Sequence, residues 1–335
     1  MTTDQPRIAR SVFVTWDPSC ARSSAQSRHL GAELIIIDIG RSLPTIIGVL
    51  IRYVLSVMAT FWNLARLRPG VVFTENMPIF LVGSVALYAA IARIPFIIDS
   101  HSGAFNDPKW KWTIPAYRML ARRSLVNLNT NATHKQLVES WGGRSIIVSD
   151  IPIHIESTAS PQGVLQPYLA VVTSYSFDEP VFEVFKATQQ LPDIRFYLTG
   201  DHRKLPSKLA REKPENVHFT GFSPYSEYLG LLKGAIGVIV LTTRDNTMQR
   251  GAYEALSLGS PIITSDFQVL RDSFADAAIY VDNTPSAIVK AVQNLVTHES
   301  DMRTRVQHQK KIRRKAYEMA IDDIAALLET DGSHS

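Results

Sequence analysis

Twelve short apolar runs rich in β-branched residues recur along the chain, and each leads into a helix-length segment or a turn. Parallel strands need a crossover long enough to hold a helix, so this alternation predicts parallel sheets covered by helices. Six runs fall in the first half, at residues 11–15, 33–38, 71–75, 96–100, 125–130 and 145–149. Six more follow at 168–173, 195–199, 217–220, 236–243, 261–264 and 278–281. Between the two sets, residues 156–166 are polar and carry Pro and Gly, which reads as a linker. The expected architecture is α/β, with two doubly wound Rossmann-like domains at residues 1–158 and 166–300 and a final helix in 301–330 that packs back on the first. Ligands of such sheets lie at the carboxyl ends of the strands, so the two domains are expected to face one another across a cleft.

Residues 245–266, DNTMQRGAYEALSLGSPIITSD, follow one of these strands. Asn246 or Thr247 is placed to cap a helix, and the N–H groups of Thr247, Met248, Gln249 and Arg250, at the positive end of its dipole, would face a phosphate. Gly259 stops the helix, and Ser260 and Pro261 turn into the next strand. Glu254 sits among Ala252, Tyr253, Ala255, Leu256 and Leu258, where an unpaired carboxylate is costly to bury. Thr247, Arg250 and Glu254 share one helical stripe, so Glu254 can reach a ligand's hydroxyls while Arg250 meets its phosphates. An ordinary surface pair between Arg250 and Glu254 at i, i+4 fits the same spacing.

Other strand ends carry polar groups. Residues 96–101 read Phe-Ile-Ile-Asp-Ser-His, delivering Asp99 and His101 to a sheet edge. Arg22, Ser23 and Ser24 open a helix after the first strand, where they can meet a phosphate or simply cap the helix. Asp178, Glu179 and Pro180 read as a helix start, with Asp as cap and Pro in the first turn. Gly200 and Gly221 close consecutive strands, which suits either a tight turn or close approach of backbone to a ligand. Trp110 and Trp112 interleave with Lys109 and Lys111, as in interfacial or acceptor-binding loops and equally in packing loops.

Composition narrows the classes. A chain of 335 residues, 45% hydrophobic and 20% charged, is long enough for two cores. Its 35 basic and 31 acidic side chains leave a balance of +4, which does not call for nucleic acid but is compatible with an anionic ligand or membrane face. The single Cys20 excludes an internal disulfide, the histidines are scattered, and no metal site is expected. The first residues lack a secretory apolar core, giving the expectation of a cytoplasmic protein. Residues 43–65 approach a membrane span, but Arg52 falls near the middle and the segment lies where a crossover helix belongs, so a buried or membrane-apposed helix is expected.

With the EALSLGSPIITSD run in this setting, the chain resembles the GT-B glycosyltransferases, most closely the large retaining family called family 4 or group 1. The resemblance spans most of the chain in architecture and residues 246–265 in motif. Glu254 and Ala255 through Gly259 and Pro261 match the part of the family motif that holds the nucleotide ribose. Asn246 stands where the family has a glutamate that contacts the donor sugar, keeping an amide but losing the charge. The family's cations after the first strand of the second domain have no equivalent among residues 173–180, leaving Arg250, with Arg244 or Arg22, to neutralise a diphosphate, while Ser174, Tyr175 and Gly200 line the donor. The resemblance places His101 beside the donor sugar as the catalytic group, with Asp99 to orient it or act as base, and Arg22, Ser23, Trp110 and Trp112 toward a phosphate or acceptor.

What the resemblance implies is a metal-independent transfer of a sugar from a nucleoside diphosphate sugar, with no further cofactor, to a hydroxyl acceptor. The apolar 43–65 segment, the tryptophan loop and the basic cluster at 310–315 suggest a lipid-linked saccharide acceptor, surface polysaccharide synthesis and a peripheral position at the inner face of an anionic membrane. Two alternatives stay open: a sugar-nucleotide epimerase of the same fold, and a non-catalytic nucleotide-binding or scaffold subunit of a membrane glycosyltransferase complex.

Overall fold

The computed structural model of the protein describes residues 10–18, 20–40, 45–148 and 158–332. The chain forms two compact units, one from the described residues up to 148 together with 316–332, the other from 158–315. Residues 156 and 157 of the expected linker, and Ser149 at the end of one expected strand, lie outside the described residues.

In the first unit the strands are β1 (Ser11–Thr15), β2 (Glu33–Ile36), β3 (Val71–Glu75), β4 (Phe96–Ser100), β5 (Val126–Asn129) and β6 (Ser145–Ile147). They form one parallel sheet in the order β2-β1-β3-β4-β5-β6. Successive side chains go to opposite faces, so Val12, Val14, Val72 and Ile98 build one core while Phe13, Phe73, Ile97 and Leu128 build the other. Helices cover both faces, which is why β1, β3, β4 and β5 are buried along their whole length and only edge strands such as β2 meet water.

The second unit repeats the plan with β7 (Tyr168–Val171), β8 (Arg195–Thr199), β9 (Val217–Gly221), β10 (Gly237–Val240), β11 (Ile262–Ser265) and β12 (Ala278–Val281), parallel throughout in the order β12-β11-β10-β7-β8-β9. Leu169, Val171, Ile239 and Ile263 pack on one face, and Ala170, Val238, Val240 and Ile262 on the other. Both units are therefore Rossmann-like α/β domains. The apolar run 236–243 is longer than its strand because Thr242 N turns to Ser265 Oγ and Thr243 N to the Asp178 carbonyl, leaving the ladder. The last helix, Glu299–Gly332, contributes Met302 and Val306 to the second unit's cores and Tyr317, Ala320 and Ile324 to the first unit's.

Each sheet has one place where the chain reverses its direction of progress. In the first unit it lies between β1 and β3, in the second between β7 and β10. Loops leaving neighbouring strands diverge there, opening the crevice in which sheets of this kind bind ligands.

Candidate functional site

At the first unit's reversal point the carboxyl ends of β1, β3 and β4 bring together Cys20, Glu75, Asp99 and His101. Asp99 is fully buried and meets a two-pronged guanidinium: Arg22 Nε lies 3.1 and 3.0 Å from its two oxygens, and Arg22 Nη2 2.9 Å from one of them. The other Asp99 oxygen lies 3.5 Å from His101 Nε2. Asn76 fixes the histidine's backbone, accepting from His101 N at 2.9 Å and donating to its carbonyl at 3.2 Å. Glu75 is buried and accepts a hydrogen bond from Ser23 Oγ. One ligand atom each from Cys20, Glu75 and His101 fall within 4.8 Å of one another.

The electrostatics follow from burial and pairing. Burial pushes Asp99 up, but Arg22 and the His101 contact outweigh it and hold the carboxyl at about 2. Burial pulls His101 down, but contact with Asp99 and the charges of Asp99 and Glu75 outweigh that, so it is raised. Burial raises Glu75, against the charge of His101 and hydrogen bonds from Ser23, Cys20 and Thr15. Cys20 is pushed to about 12 by burial and by Glu75's charge, so its thiol stays protonated. The trio has the spacing of a metal set, gathered from three separate segments, and an ion bound there would displace the thiol proton.

Three expectations change here. Asp99, held at about 2, is too weak a base to take a proton near neutrality, which leaves only the orienting part of its expected role. Arg22 is turned inward, with only 9% of its side chain exposed, donating to Asp99 and to the Val148 carbonyl at 2.9 Å rather than meeting a phosphate. Ser23 is buried and committed to Glu75. The tryptophans lie in the 3-10 turn Pro108–Thr113, where Trp110 is partly buried under Lys109, 5.3 Å from its ring, and Trp112 is 65% exposed.

At the second unit's reversal point, the loop after β7 is organised by Glu179. Its carboxylate accepts from Thr173 Oγ1 at 2.5 Å, Ser174 N at 2.9 Å, Ser174 Oγ at 3.0 Å and Ser176 N at 3.1 Å. Asp178 is not the expected helix cap: it accepts from Thr242 Oγ1 at 3.1 Å, and the helix Val181–Thr188 starts from Pro180 with no side-chain cap. Tyr175 has φ +59° and lays its ring against Phe219, so its buried hydroxyl is not presented to a donor. Gly200 has φ +83°, and a Cβ there would strike the Thr173 carbonyl, so its absent side chain makes room for this chain's own backbone. Lys204 Nζ, 3.4 Å from the Ser174 carbonyl, is a cation beside the β7 loop that sequence reasoning missed by searching only residues 173–180.

Across the reversal point, the helix Arg250–Leu258 starts later than expected. Asn246 does not cap it but takes a left-handed conformation at φ 54°, its N–H held by Asp245 Oδ1 at 2.6 Å, and Thr247 Oγ1 bonds the Asp245 carbonyl, closing a separate turn. Gln249 is the N-cap residue, with no side-chain bond, and Ala252 N and Tyr253 N already reach its carbonyl. The uncommitted start of the helix therefore falls at Arg250 and Gly251 rather than at Thr247, Met248 and Gln249. Met248 packs against the core, and Gly251 lets the helix start approach Val172.

Arg250 and Glu254 do pair, Nε to Oε1 at 2.9 Å, but not at the surface: Glu254 is 3% exposed. Its oxygens also accept from Tyr225 OH at 3.0 Å and Tyr228 OH at 2.5 Å. Burial and then Glu254's charge raise both phenols, so they remain donors. The Arg250 guanidinium stays about half exposed, with 48% of its side chain open.

The whole of this second sheet, with the Arg250–Glu254 pair, lies inside residues 166–319, which match the family model described as glycosyl transferases group 1. Over these residues the chain is similar to the group 1 glycosyl transferases. Solved structures extend the likeness to the fold of both units. Anabaena Alr3699/HepE in complex with UDP and glucose is 13% identical with a TM-score of 0.70, over 96% of this chain and 99% of that one. A putative UDP-N-acetylglucosamine 2-epimerase from Listeria monocytogenes is 10% identical with a TM-score of 0.68, over 98% and 97%. CalG4, the calicheamicin glycosyltransferase, is 14% identical with a TM-score of 0.51, over 96% and 99%. At such identities these neighbours show a shared GT-B architecture and no more. No curated protein matches the sequence.

Within the second unit, Ser174, Gly200 and Arg250 come to the same sheet edge, whereas Tyr175 and Met248 turn into the core. Tyr225 and Tyr228, spaced i, i+3 on the helix Tyr225–Gly234, were missed. Their spacing was the available signal, but it identifies a partner only once the Glu254 helix is known to lie alongside.

Proposed function

We propose that the protein is a glycosyltransferase that moves a sugar from a nucleoside diphosphate sugar to a hydroxyl acceptor. The observation that carries this reading is the Arg250–Glu254 pair at the head of a helix, beside the reversal point of the unit that is similar to the group 1 family. In this reading the half-exposed Arg250 and the N–H groups of Arg250 and Gly251 take the diphosphate, and Glu254, braced by two tyrosines, accepts from the ribose hydroxyls. Negative charge grows on the leaving diphosphate as the bond to the sugar's anomeric carbon breaks, and a preorganised cation and helix start stabilise it most at that moment. The acceptor oxygen forms the new bond and gives up its proton to a base as the diphosphate leaves. Metal-independent transfer with retention, a lipid-linked saccharide acceptor in surface polysaccharide synthesis and a cytoplasmic position at a membrane complete the proposal.

Uridine nucleotides are the first to test, since the HepE complex holds UDP. The full chain is incubated with UDP-sugars and a purified membrane extract, and nucleoside diphosphate release is followed. Release that depends on acceptor supports transfer; conversion of the sugar nucleotide with no acceptor present identifies an epimerase. A scaffold subunit is the second reading, favoured by Glu179, whose carboxylate already fills the donors of the β7 loop. Nucleotide binding with no turnover for any acceptor would establish it.

A further inference from the structure

The helix Ile46–Leu67 is amphipathic in the wrong sense for water. Its inward side carries Ser56 and Thr60, with Thr60 accepting from Trp16 Nε1 at 3.0 Å and donating to the Ser56 carbonyl at 2.8 Å. Its outward stripe is Ile47, Leu50, Val54, Met58 and Trp62, exposed by 69, 60, 59, 62 and 73%. The neighbouring helix Ile79–Ala92 adds Phe80, Leu87 and Ile91, exposed by 42, 56 and 70%. Rings join these elements into one surface, Tyr53 to Phe80 at 4.9 Å and Phe80 to Trp112 at 6.4 Å. A soluble monomer rarely shows an apolar patch of more than roughly a few hundred Å², so this face is built to be covered.

Charge identifies what covers it. Residues 45–123 hold nine Lys and Arg against Glu75, Asp99 and Asp107, and two of those three acids are buried in the cluster described above. Arg52, Lys109 and Lys111 lie on the apolar elements themselves, and Arg93, directly beyond Ile91, lines a hollow with Arg122, Arg123 and Arg144. A second copy of the same face would bring like charges together. A surface of phosphate-bearing lipids meets both the apolar stripe and its cationic margin.

We propose that this face seats the first domain on an anionic bilayer, with the helix Ile46–Leu67 lying in the plane of the interface. The helix is long and apolar enough to cross a membrane, yet its buried Ser56, Thr60, Leu64 and Leu67 keep one side against the domain along most of its length, and it is the crossover between β2 and β3. Lipid therefore meets it from one side only. This docking gives a surface to the membrane position proposed above, and its tests do not depend on sugar transfer.

The experiment is flotation of the full chain with phosphatidylcholine vesicles, with and without phosphatidylglycerol. The chain is expected to float with the anionic vesicles at low salt and much less at high salt or without phosphatidylglycerol. Leu50→Glu/Val54→Glu/Trp62→Glu should stay in the soluble fraction while its melting temperature and UDP-induced thermal shift remain those of wild type. Lys109→Glu/Lys111→Glu, which leaves the packed side untouched, should weaken binding by at least about fivefold, the value of one cation worth ~1 kcal/mol near an anionic surface. A wild-type chain that ignores anionic vesicles, or a triple variant that floats as well as wild type, overturns the proposal. So does a wild-type dimer that the triple variant turns into a monomer, which would assign the face to a second copy.

Discussion

Glu254 holds a carboxylate almost out of water because three donors converge on it, and that geometry separates its structural from its binding role. Glu254→Ala should cost about 2–4 kcal/mol of stability, since it strands two phenols and a guanidinium, and should abolish nucleotide binding. Tyr228→Phe removes one donor at about 1 kcal/mol and should leave nucleotide affinity nearly intact. If titration calorimetry finds equal losses of affinity in both variants, the carboxylate binds no ligand directly. At the other reversal point, Glu75 and His101 are both raised in the folded chain. Each therefore adds stability that is complete below its ordinary value, 4.5 or 6.5, and is lost as pH rises through the folded value, whereas Asp99 adds stability above 3.8 that disappears as pH falls toward about 2. Urea midpoints should consequently fall as pH rises above these ordinary values, and Glu75→Gln should flatten that slope; an unchanged slope would remove Glu75 from the coupled set. Asp99 and His101 were legible in the sequence because a strand delivers them two residues apart. Glu75, Cys20 and Arg22 were not legible as their partners, because their meeting depends on strand order, which local pattern does not carry.

Elements were more legible than the contacts between them. All twelve apolar runs contain strands, and the central ones are plainest because a strand buried on both faces must be apolar along its length. The helix start near Asn246 was misread because Asn serves equally as a cap and as a left-handed turn residue, and Asp245 settled the choice by taking the Asn246 N–H for itself. The apolar run marked the helix Ile46–Leu67 but not which way it faces, since Ser56 and Thr60 share its buried side with Leu64 and Leu67 while most of its apolar residues point outward. The two strand-end glycines give a controlled comparison. Gly221 has φ +67° with open space around it, so Gly221→Ala should cost only the left-handed backbone penalty, about 1 kcal/mol. Gly200→Ala carries the same penalty plus collision with the Thr173 carbonyl, and should melt lower than the Gly221 variant. Equal melting points would mean that the β7 loop yields freely, contrary to its pinning by Glu179.

At the scale of the whole chain, the modest +4 balance conceals an uneven distribution, since residues 45–123 alone carry nine cations against three acids. Net charge was therefore compatible with an anionic partner but could not show where on the chain the cations gather. The division into two units, each with its own pair of cores, makes a further prediction. A nucleotide bound as proposed by the second unit would bind only that unit's folded form, and at a hundred times its dissociation constant it would add about 2.7 kcal/mol. For a unit of this size each kcal/mol raises the melting temperature by roughly 2–4 °C, so saturating UDP should lift it by about 5–11 °C. If calorimetry resolves two transitions, only the one belonging to residues 158–315 should move directly, and any movement of the other must pass through elements the units share, the helix Glu299–Gly332 being one whose two halves pack in different cores. Arg250→Ala should erase the shift while leaving the unliganded transitions close to wild type, because its guanidinium is half exposed and its loss leaves Glu254 with two phenol donors. A shift that survives in Arg250→Ala would move the diphosphate away from the head of that helix, toward Lys204 and the β7 loop.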